Sequence, residues 1–213
     1  MLKIKIFTFN PFQENTYLLF DDTKKGVIVD CGCSNSSEEK EISNFIADNN
    51  IEIVHILNTH CHIDHVIGLD FACSKYQLPV QFHKADLPVL EAVPSYASMY
   101  GFSIPAFGGQ MKFIEEGEVI QFGNTQLEVI FAPGHAPGHV VFVAKKEKLI
   151  IGGDVLFYSS IGRTDLPGGD YDTLIESIKT KLFPIGDDFT VYPGHGQKTT
   201  IGFERKNNPF LTQ

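Results

Sequence analysis

The sequence predicts a mixed α/β protein in which two mixed sheets pack against each other and helices cover their outer faces. Strand patterns dominate each half of the chain, and a helical pattern follows the strands in each half. The regular alternation of strand and helix that is typical of a single parallel sheet is missing. Because no low-complexity linker divides the 213 residues, we expect a single domain over residues 1–213.

The first half of the chain combines strands with two helices. KIKIFTF alternates as a half-buried strand does, and further strands are predicted for TYLLF, GVIVD, IEIVHILNTH and LPVQFH. The segment SSEEKEISNFIADNN has acids in its first turn and an apolar stripe, which predicts a helix that Ser36 or Ser37 caps. A second helix is predicted for DHVIGLDFACSKYQ.

The second half follows an irregular segment, Lys84 to Gln110, that holds three prolines and several aromatic side chains. Strand patterns then return in EVIQF, TQLEVIFAP, HVVFVA and KLIIGGD. YDTLIESIKTKLF has the period of an amphipathic helix, and FTVYPGHG predicts a final strand that leads into a loop.

Composition excludes several classes of function. The net charge is −9 and the basic residues are scattered, so we expect no nucleic-acid partner. No apolar run approaches the roughly 20 residues of a membrane span, so we expect no membrane partner. The start of the chain alternates like a strand and lacks the apolar block of a signal peptide, and the four cysteines form no disulfide pattern. These features predict a cytoplasmic protein.

The stretch NTHCHIDHVIG carries an unusual density of possible metal ligands. His60 and His62 lie two apart where a buried strand ends, so in an extended chain their rings point the same way. Asp64 and His65 follow at the predicted start of a helix and can turn towards the same space. Burying so many ionisable groups without a metal or another partner is costly, so the cluster favours a metal site.

Three further donors follow apolar strands and are flanked by Gly or Pro. These are His135 in APGHAPGH, Asp154 in IIGGDVLF and His195 in YPGHG. A single histidine at a strand end is more often a hydrogen-bonded structural residue than a ligand, but four such loops together favour metal binding. Five histidines and two aspartates suit two divalent ions, zinc first, with iron or manganese as alternatives.

The motifs THCHIDH, APGHAPGH, GGDVLF and YPGHG, in this order, resemble the metallo-β-lactamase superfamily over nearly the whole chain. The resemblance implies an αββα sandwich with a dinuclear metal site between its sheets. His139 matches a position that supports the ligands from outside. By the family pattern, one ion is held by His60, His62 and His135, the second by Asp64, His65 and His195, and Asp154 bridges them.

The remaining histidines and cysteines are assigned structural roles. His55 lies inside a strand and His83 ends one without a neighbouring ligand pattern. The side chain of Cys61 points away from its histidine neighbours and is expected to pack in the core. Cys31 and Cys33 have no second pair elsewhere in the chain, which argues against a zinc knuckle.

Two ions roughly 3.5–4 Å apart can hold a hydroxide, polarise a carbonyl and stabilise a leaving group, which indicates hydrolysis. Lactam-cleaving members of the superfamily commonly place a cysteine where Asp154 stands and carry an export signal. Flavodiiron members have H-x-E-x-D in place of this motif and carry a flavin domain. Members that process nucleic acids tend to have basic surfaces and extra domains.

The stretches GRTDLPGGDYDTLIESI and YPGHGQKTTIGFERKNNPF are similar to short bacterial glyoxalase II-like (hydroxyacylglutathione hydrolase-like) members. This resemblance implies that a metal-bound hydroxide hydrolyses a small-molecule thioester such as S-lactoylglutathione. Asp64 is then expected to be a catalytic residue as well as a ligand. Arg163 is a candidate for substrate binding, although a salt bridge to Asp165 that stabilises the loop is the favoured interpretation.

Full-length glyoxalase II enzymes carry a C-terminal helical domain that binds glutathione, and only 18 residues follow His195 here. We therefore expect that domain to be missing, and Lys84–Gln110 is either a lid over the pocket or a packed loop. Three alternatives stay open. They are a persulfide dioxygenase with a single iron, a hydrolase of another ester or thioester, and a non-enzymatic member that binds a ligand or partner.

Overall fold

Two six-stranded mixed sheets face each other in the computed structural model, which describes residues 1–212. The first sheet has the strand order β1-β2-β3-β4-β5-β6, and the second has the order β14-β13-β10-β9-β8-β7. The short strands β11 and β12 form a separate hairpin. The strands are β1 Lys3–Phe9, β2 Glu14–Phe20, β3 Lys25–Val29, β4 Glu52–Leu57, β5 Val80–Phe82, β6 Met111–Phe113, β7 Val119–Phe122, β8 Thr125–Phe131, β9 Val140–Ala144, β10 Leu149–Gly153, β11 Leu156–Phe157, β12 Ser160–Ile161, β13 Thr190–Pro193 and β14 Thr199–Thr200.

Within residues 1–212, six α-helices cover the outer faces of the sheets or connect their strands. They are α1 Ser36–Asp48, α2 Ile63–Val66, α3 Leu69–Tyr76, α4 Leu87–Tyr96, α5 Tyr171–Ser177 and α6 Ile201–Asn207. None of the helices within residues 1–212 is long and apolar enough to cross a membrane.

The period of two along the strands sorts their side chains into separate cores. On β2, Tyr17 and Leu19 pack with Phe142 and other side chains of the second sheet, so they form the core between the sheets. Leu18, which alternates with them, lies in a different core that contains Ile42 of α1. A third core joins the outer face of the second sheet to α5 and α6. The predicted arrangement of two packed sheets with outer helices is therefore confirmed.

Two helix predictions need correction. The N-cap of α1 is Asn35, whose side chain accepts hydrogen bonds from the backbone N–H groups of Ser37 and Glu38; neither Ser36 nor Ser37 caps the helix. The helix predicted from DHVIGLDFACSKYQ is broken into α2 and α3 at Gly68. The Gly68 N–H donates to Cys31 O at 2.9 Å, and a Cβ at this position would lie 2.8 Å from that same oxygen. The close approach of the two backbones therefore sets the break.

The segment Lys84–Gln110 is less irregular than the sequence predicts. Its first half forms α4, followed by a 3₁₀ turn over Ala97–Tyr100. Pro88 lies in the first turn of α4, where a missing N–H leaves no hydrogen bond unmade, and Pro94 lies near its end. The predicted helix YDTLIESIKTKLF keeps α-geometry only to Ser177 and continues as π and 3₁₀ turns. The sequence did not predict β6, β11, β12, β14 or α6.

Candidate metal centre

The seven predicted ligands come from four loops that follow strands. His60 and His62 follow β4, and the short helix α2 places Asp64 and His65 directly after them. The other three side chains follow β8, β10 and β13, and the structure brings all seven into one cluster at the floor of a cavity. They are His60, His62, Asp64, His65, His135, Asp154 and His195.

Three histidines form the first group of donors. His135 Nε2 lies 2.9 Å from His62 Nδ1 and 3.2 Å from His60 Nε2. All three side chains are buried. Burial lowers the pKa of His60 well below its ordinary value and that of His62 to about 3, and neighbouring histidines add to both shifts. The rings are therefore neutral at physiological pH, which is the state that ligates a metal.

The second group contains a carboxylate and two histidines. Asp64 Oδ2 lies 3.0 Å from His195 Nε2 and 3.6 Å from His65 Nε2. Burial disfavours the charged form of His65, but the carboxylates around it, led by Asp64 and Asp154, raise its pKa well above the ordinary value. Asp64, His65 and His195 are the three residues that the family pattern assigns to the second ion.

Asp154 lies between the two groups. Its Oδ2 is 3.5 Å from His135 Nε2 and 3.6 Å from His195 Nε2, and its Oδ1 is 3.6 Å from His65 Nε2. Burial disfavours its charged form, but His65, His135 and His195 lower its pKa below the ordinary range. Asp154 therefore stays ionised and faces both groups.

The donor set fits divalent metal ions. The Nε2 atom of His65 and the Oδ1 atom of Asp154 are fully buried and have no hydrogen-bond partner within the described residues. Buried polar atoms are normally satisfied, and imidazole nitrogens and carboxylate oxygens converge here within a few ångström. Cations held by the two groups would give both atoms a partner and would explain why so many imidazole nitrogens lie close together.

Hydrogen bonds to the Nδ1 atoms orient three of the five predicted ligand rings. His135 Nδ1 lies 2.8 Å from Arg163 O, and His195 Nδ1 lies 3.2 Å from Phe12 O. His60 Nδ1 lies 3.0 Å from Thr59 Oγ1. A ring that donates from Nδ1 presents the lone pair of Nε2, so these contacts aim Nε2 at the site.

Two buried carboxylates near His65 were not predicted as site residues. Asp30 accepts hydrogen bonds from Thr59 N at 2.7 Å and Thr59 Oγ1 at 2.6 Å, and its Oδ2 lies 3.1 Å from His65 Nδ1. Asp30 is close enough to His60 and His65 to share a metal with them, but its oxygens already have these partners, so we assign it as a support. Glu14 Oε1 lies 4.0 Å from the same Nδ1 atom, and burial raises the pKa of Glu14 well above its ordinary value.

Asp86 ties two of the ligand loops together. It is fully buried, and its carboxylate accepts hydrogen bonds from the backbone N–H groups of Cys61 and Gly138, each at 2.6 Å. Burial raises its pKa to about 6. Asp86 therefore joins the HCHIDH loop to the PGHAPGH loop directly before α4 begins. This role is not visible in the sequence, because both partners lie far away along the chain.

The remaining predicted residues take supporting or structural positions. His139 Nε2 accepts a hydrogen bond from Asp154 N at 3.0 Å, which fits its predicted supporting role. His55 lies 3.1 Å from Gln121 O, and Cys61 is buried in the core, so both contacts fit the structural roles predicted for these residues.

Gly194 of the YPGHG motif permits the close approach of the last ligand loop. A Cβ at this position would collide with Asp154 Oδ1 and would lie 2.7 Å from His65 Cε1. The loop is also held by the start of β2, where Asn15 N donates to Gly194 O at 2.7 Å. Glycine is therefore required here for space.

The cavity above the ligands has a volume of about 990 Å³. One wall consists of α4 and the 3₁₀ turn that follows it, and the opposite wall consists of the segment from β11 to Gly168. Arg163 lies on this opposite wall and forms the predicted salt bridge, with two N–O distances of 2.7 Å to Asp165. The Lys84–Gln110 segment therefore contributes a folded wall to the cavity.

Comparison with known proteins agrees with this architecture. The family model of the metallo-beta-lactamase superfamily matches residues 9–195. Hydroxyacylglutathione hydrolase GloC of Haemophilus influenzae is 38% identical, with 99% of this chain and 98% of that protein covered. Probable metallo-hydrolase YqgX of Bacillus subtilis is 36% identical, with 94% and 93% covered.

Two crystal structures are similar over their whole length. BLEG-1 B3 metallo-beta-lactamase superposes with a TM-score of 0.90 at 33% identity, covering 99% of this chain and 100% of that one. TTHA1623 in a di-iron-bound form superposes with a TM-score of 0.87 at 35% identity, covering 97% of this chain and 100% of that one.

Proposed function

Because the chain belongs to the metallo-β-lactamase superfamily, we propose that it is a metal-dependent hydrolase of hydroxyacyl thioesters of the S-lactoylglutathione type. The observation that carries this proposal is the convergence of two three-donor groups, with Asp154 between them, at the floor of the cavity. Similarity to a hydroxyacylglutathione hydrolase over nearly the full length of both chains supports the choice of substrate.

The proposed ligands are those predicted from the sequence. His60, His62 and His135 would hold one ion and Asp64, His65 and His195 the other, with Asp154 shared between them. When bound, the ions would lower the pKa of water to about 7 and polarise the thioester carbonyl. Zinc is proposed first; iron is the alternative, because TTHA1623 is similar in a di-iron-bound form.

Among the described side chains that line the cavity there is no cysteine and no serine paired with a histidine base, which supports attack by water. The four cysteines are buried in the structure. Ser95 Oγ donates to Ala92 O at 2.6 Å, and Ser160 Oγ lies 3.5 Å from the Ile161 carbonyl, so neither hydroxyl is paired with a histidine base. A thiolate is a good leaving group, so cleavage of a thioester requires little acid assistance.

Asp64 is proposed as a catalytic residue as well as a ligand. Its carboxylate faces the cavity, and its pKa is lowered because His65 and His195 outweigh the effect of burial. Asp64 therefore stays ionised at neutral pH and can accept a hydrogen bond from the attacking water. The ring of His195 fixes the carboxylate through its 3.0 Å contact.

The compartment and partners are also proposals. All four cysteines are free, as in proteins of a reducing compartment, which supports a cytoplasmic location. The net charge of −9 with scattered basic residues supports a small-molecule substrate in preference to nucleic acid.

The test is hydrolysis of S-lactoylglutathione by the purified protein after its metal content has been measured. We expect turnover with close to two ions per chain, loss of both turnover and metal in His60→Ala, and neither loss in the control His55→Gln. His55 is a half-buried histidine away from the cluster. Two bound ions without turnover would contradict the assignment of S-lactoylglutathione as the substrate. One iron per chain, together with oxygen consumption in the presence of glutathione persulfide, would indicate a persulfide dioxygenase.

A further inference from the structure

We propose that the preferred substrate carries an apolar acyl chain longer than a lactoyl group, which lies along the wall formed by α4 and its 3₁₀ turn. This inference rests on the proposed thioester hydrolysis and narrows it to a class of acyl group. It also implies that the charged groups of the thiol contribute little to binding.

The cavity is larger than a lactoyl group requires. Its volume of about 990 Å³ is near the upper end of roughly 300–1,000 Å³ that is usual for small-molecule sites. Beyond the proposed metal ligands, most of its lining is apolar, including Val89, Met99 and Tyr100 on one wall and Phe157 and Leu166 on the other. An apolar chain that binds against this lining removes apolar surface from water.

Two large apolar side chains of the wall are left in contact with water. Met99 is 82% exposed and Tyr100 is 48% exposed, and both line the cavity. Single exposed apolar residues are ordinary, but adjacent ones beside an active-site cavity indicate a binding surface. Because the wall is continuous with the metal ligands His62 and Asp64, a group bound there would be placed next to the reacting carbonyl.

Charges that could hold a polar substrate are scarce in the cavity. Apart from the proposed metal ligands, Arg163 is the one charged residue among the described residues that line it. Its guanidinium is already held by both oxygens of Asp165 at 2.7 Å. Glutathione carries two carboxylates, so at most one of them could find a cation here without breaking this pair. Recognition must therefore depend mainly on apolar contact.

The wall is organised in advance, which favours selective binding. The rings of Phe12 and Tyr100 lie 5.3 Å apart, and those of Tyr96 and Tyr100 lie 6.3 Å apart. The backbone oxygen of Phe12 also contacts the proposed ligand His195. The aromatic cluster is thus joined directly to the metal centre, and little ordering is required when a chain binds.

Binding without chemistry tests the wall by itself. S-octylglutathione and S-methylglutathione are thioethers that cannot be hydrolysed at an acyl carbon and differ only in the length of the alkyl chain. Titration calorimetry with the metal-loaded protein should show at least about 30-fold tighter binding of the octyl compound, because each fully buried methylene contributes up to about fourfold. Dissociation constants within about threefold of each other would overturn the proposal.

A matched pair of variants tests whether the octyl chain binds along the α4 wall. Met99→Glu puts a charge on the apolar surface, whereas Ser98→Glu puts the same charge on an exposed neighbour that does not line the cavity. We expect Met99→Glu to weaken S-octylglutathione binding at least about tenfold and Ser98→Glu to change it less than about twofold. Equal effects of the two variants would contradict binding along this wall.

Rates of hydrolysis test the acyl-chain proposal separately from the proposed thioester hydrolysis. The value of kcat/KM for 2-hydroxyoctanoylglutathione should exceed that for S-lactoylglutathione at least about tenfold. It should change less than about threefold when N-acetylcysteamine, which lacks carboxylates, replaces glutathione. Faster hydrolysis of the lactoyl compound would overturn the acyl-chain assignment alone. Hydrolysis of neither thioester, despite bound metal, would overturn the proposed function and the substrate assignment with it.

Discussion

The floor of the cavity is held by buried hydrogen bonds, whereas its wall on α4 is held by ring contacts that stay partly open to water. On the floor, Asp30 and Asp86 each accept short hydrogen bonds from buried N–H or O–H groups. On the wall, Met99 and Tyr100 are exposed, and the ring of Tyr100 contacts that of Phe12. Both regions border the same cavity.

This difference follows from what each region must hold. Donors that converge on a cation repel one another, so they keep their positions only if the surrounding hydrogen bonds fix them. A wall that receives an apolar chain needs area and shape but no charged groups. We therefore expect substitutions on the floor to have large effects on metal binding and folding, and substitutions on the wall to change substrate preference.

The largest effect is expected for His135→Ala. His135 Nε2 contacts His60, His62 and Asp154, so its loss removes a donor from the centre of the cluster. We expect kcat/KM to fall at least about 10³-fold and the metal content to drop. Metal analysis and steady-state kinetics on the same preparation measure both. Retained metal and activity would show that the histidine group is not a metal site.

Asp86→Ala should have the next largest effect. The substitution leaves the buried N–H groups of Cys61 and Gly138 without an acceptor. Each unsatisfied group costs about 1–3 kcal/mol, so the free energy of unfolding in urea should fall by at least about 2 kcal/mol. Affinity for the metal should also weaken, because the two loops carry His60, His62 and His135.

A comparison with Asp70→Ala controls for the loss of a carboxylate. Asp70 lies in the first turn of α3 and is exposed to solvent. Its substitution should change the free energy of unfolding by less than about 0.5 kcal/mol. If Asp86→Ala were as mild as this control, the link between the two loops would not be needed to hold the floor.

The free energy of unfolding should depend on pH through the titration of Asp86. Its pKa is raised from 3.8 to about 6 in the folded protein, so the folded state binds this proton more tightly than the unfolded chain does. The resulting stabilisation is complete below about pH 4 and is lost as the pH rises through about 6. The difference in unfolding free energy between the wild type and Asp86→Ala should therefore shrink by up to about 3 kcal/mol between pH 4 and pH 7.

Chelator-treated protein is the sample for this measurement, so that proton release on metal binding does not contribute. A difference between the two proteins that stays constant with pH would show that Asp86 is ionised throughout the range.

The proposed ligands are easier to recognise in the sequence than the residues that support them, for a physical reason. His60, His62, Asp64 and His65 lie close together along the chain, so the motif is visible without a structure. Asp86, in contrast, is recognisable only through partners that lie 25 and 52 positions away. Such contacts depend on the folded arrangement of the loops and leave no local pattern.

Because of its prolines, the helix α4 was not predicted from the sequence. Pro88 and Pro94 gave the Lys84–Gln110 segment an irregular pattern, although Pro88 occupies a helix position that tolerates proline. The two-sheet arrangement was easier to predict, since alternation on β1 and the apolar runs of the other strands are local. Which faces of those strands meet could be learned only from the structure.

The smallest effect is expected at Arg163, and it sharpens the contrast between the floor and the walls. Arg163 and Asp165 are exposed, with 58% and 69% of their side-chain surfaces open to solvent, so water screens their salt bridge and it should contribute little to the free energy of folding. If the salt bridge is the main role of Arg163, Arg163→Met and Asp165→Asn should each raise KM for S-lactoylglutathione less than about threefold. An increase above about tenfold in Arg163→Met alone would show instead that the guanidinium binds a substrate carboxylate. The charge of the substrate would then matter as much as its apolar chain, because a bidentate Arg–carboxylate contact is strong and geometrically specific.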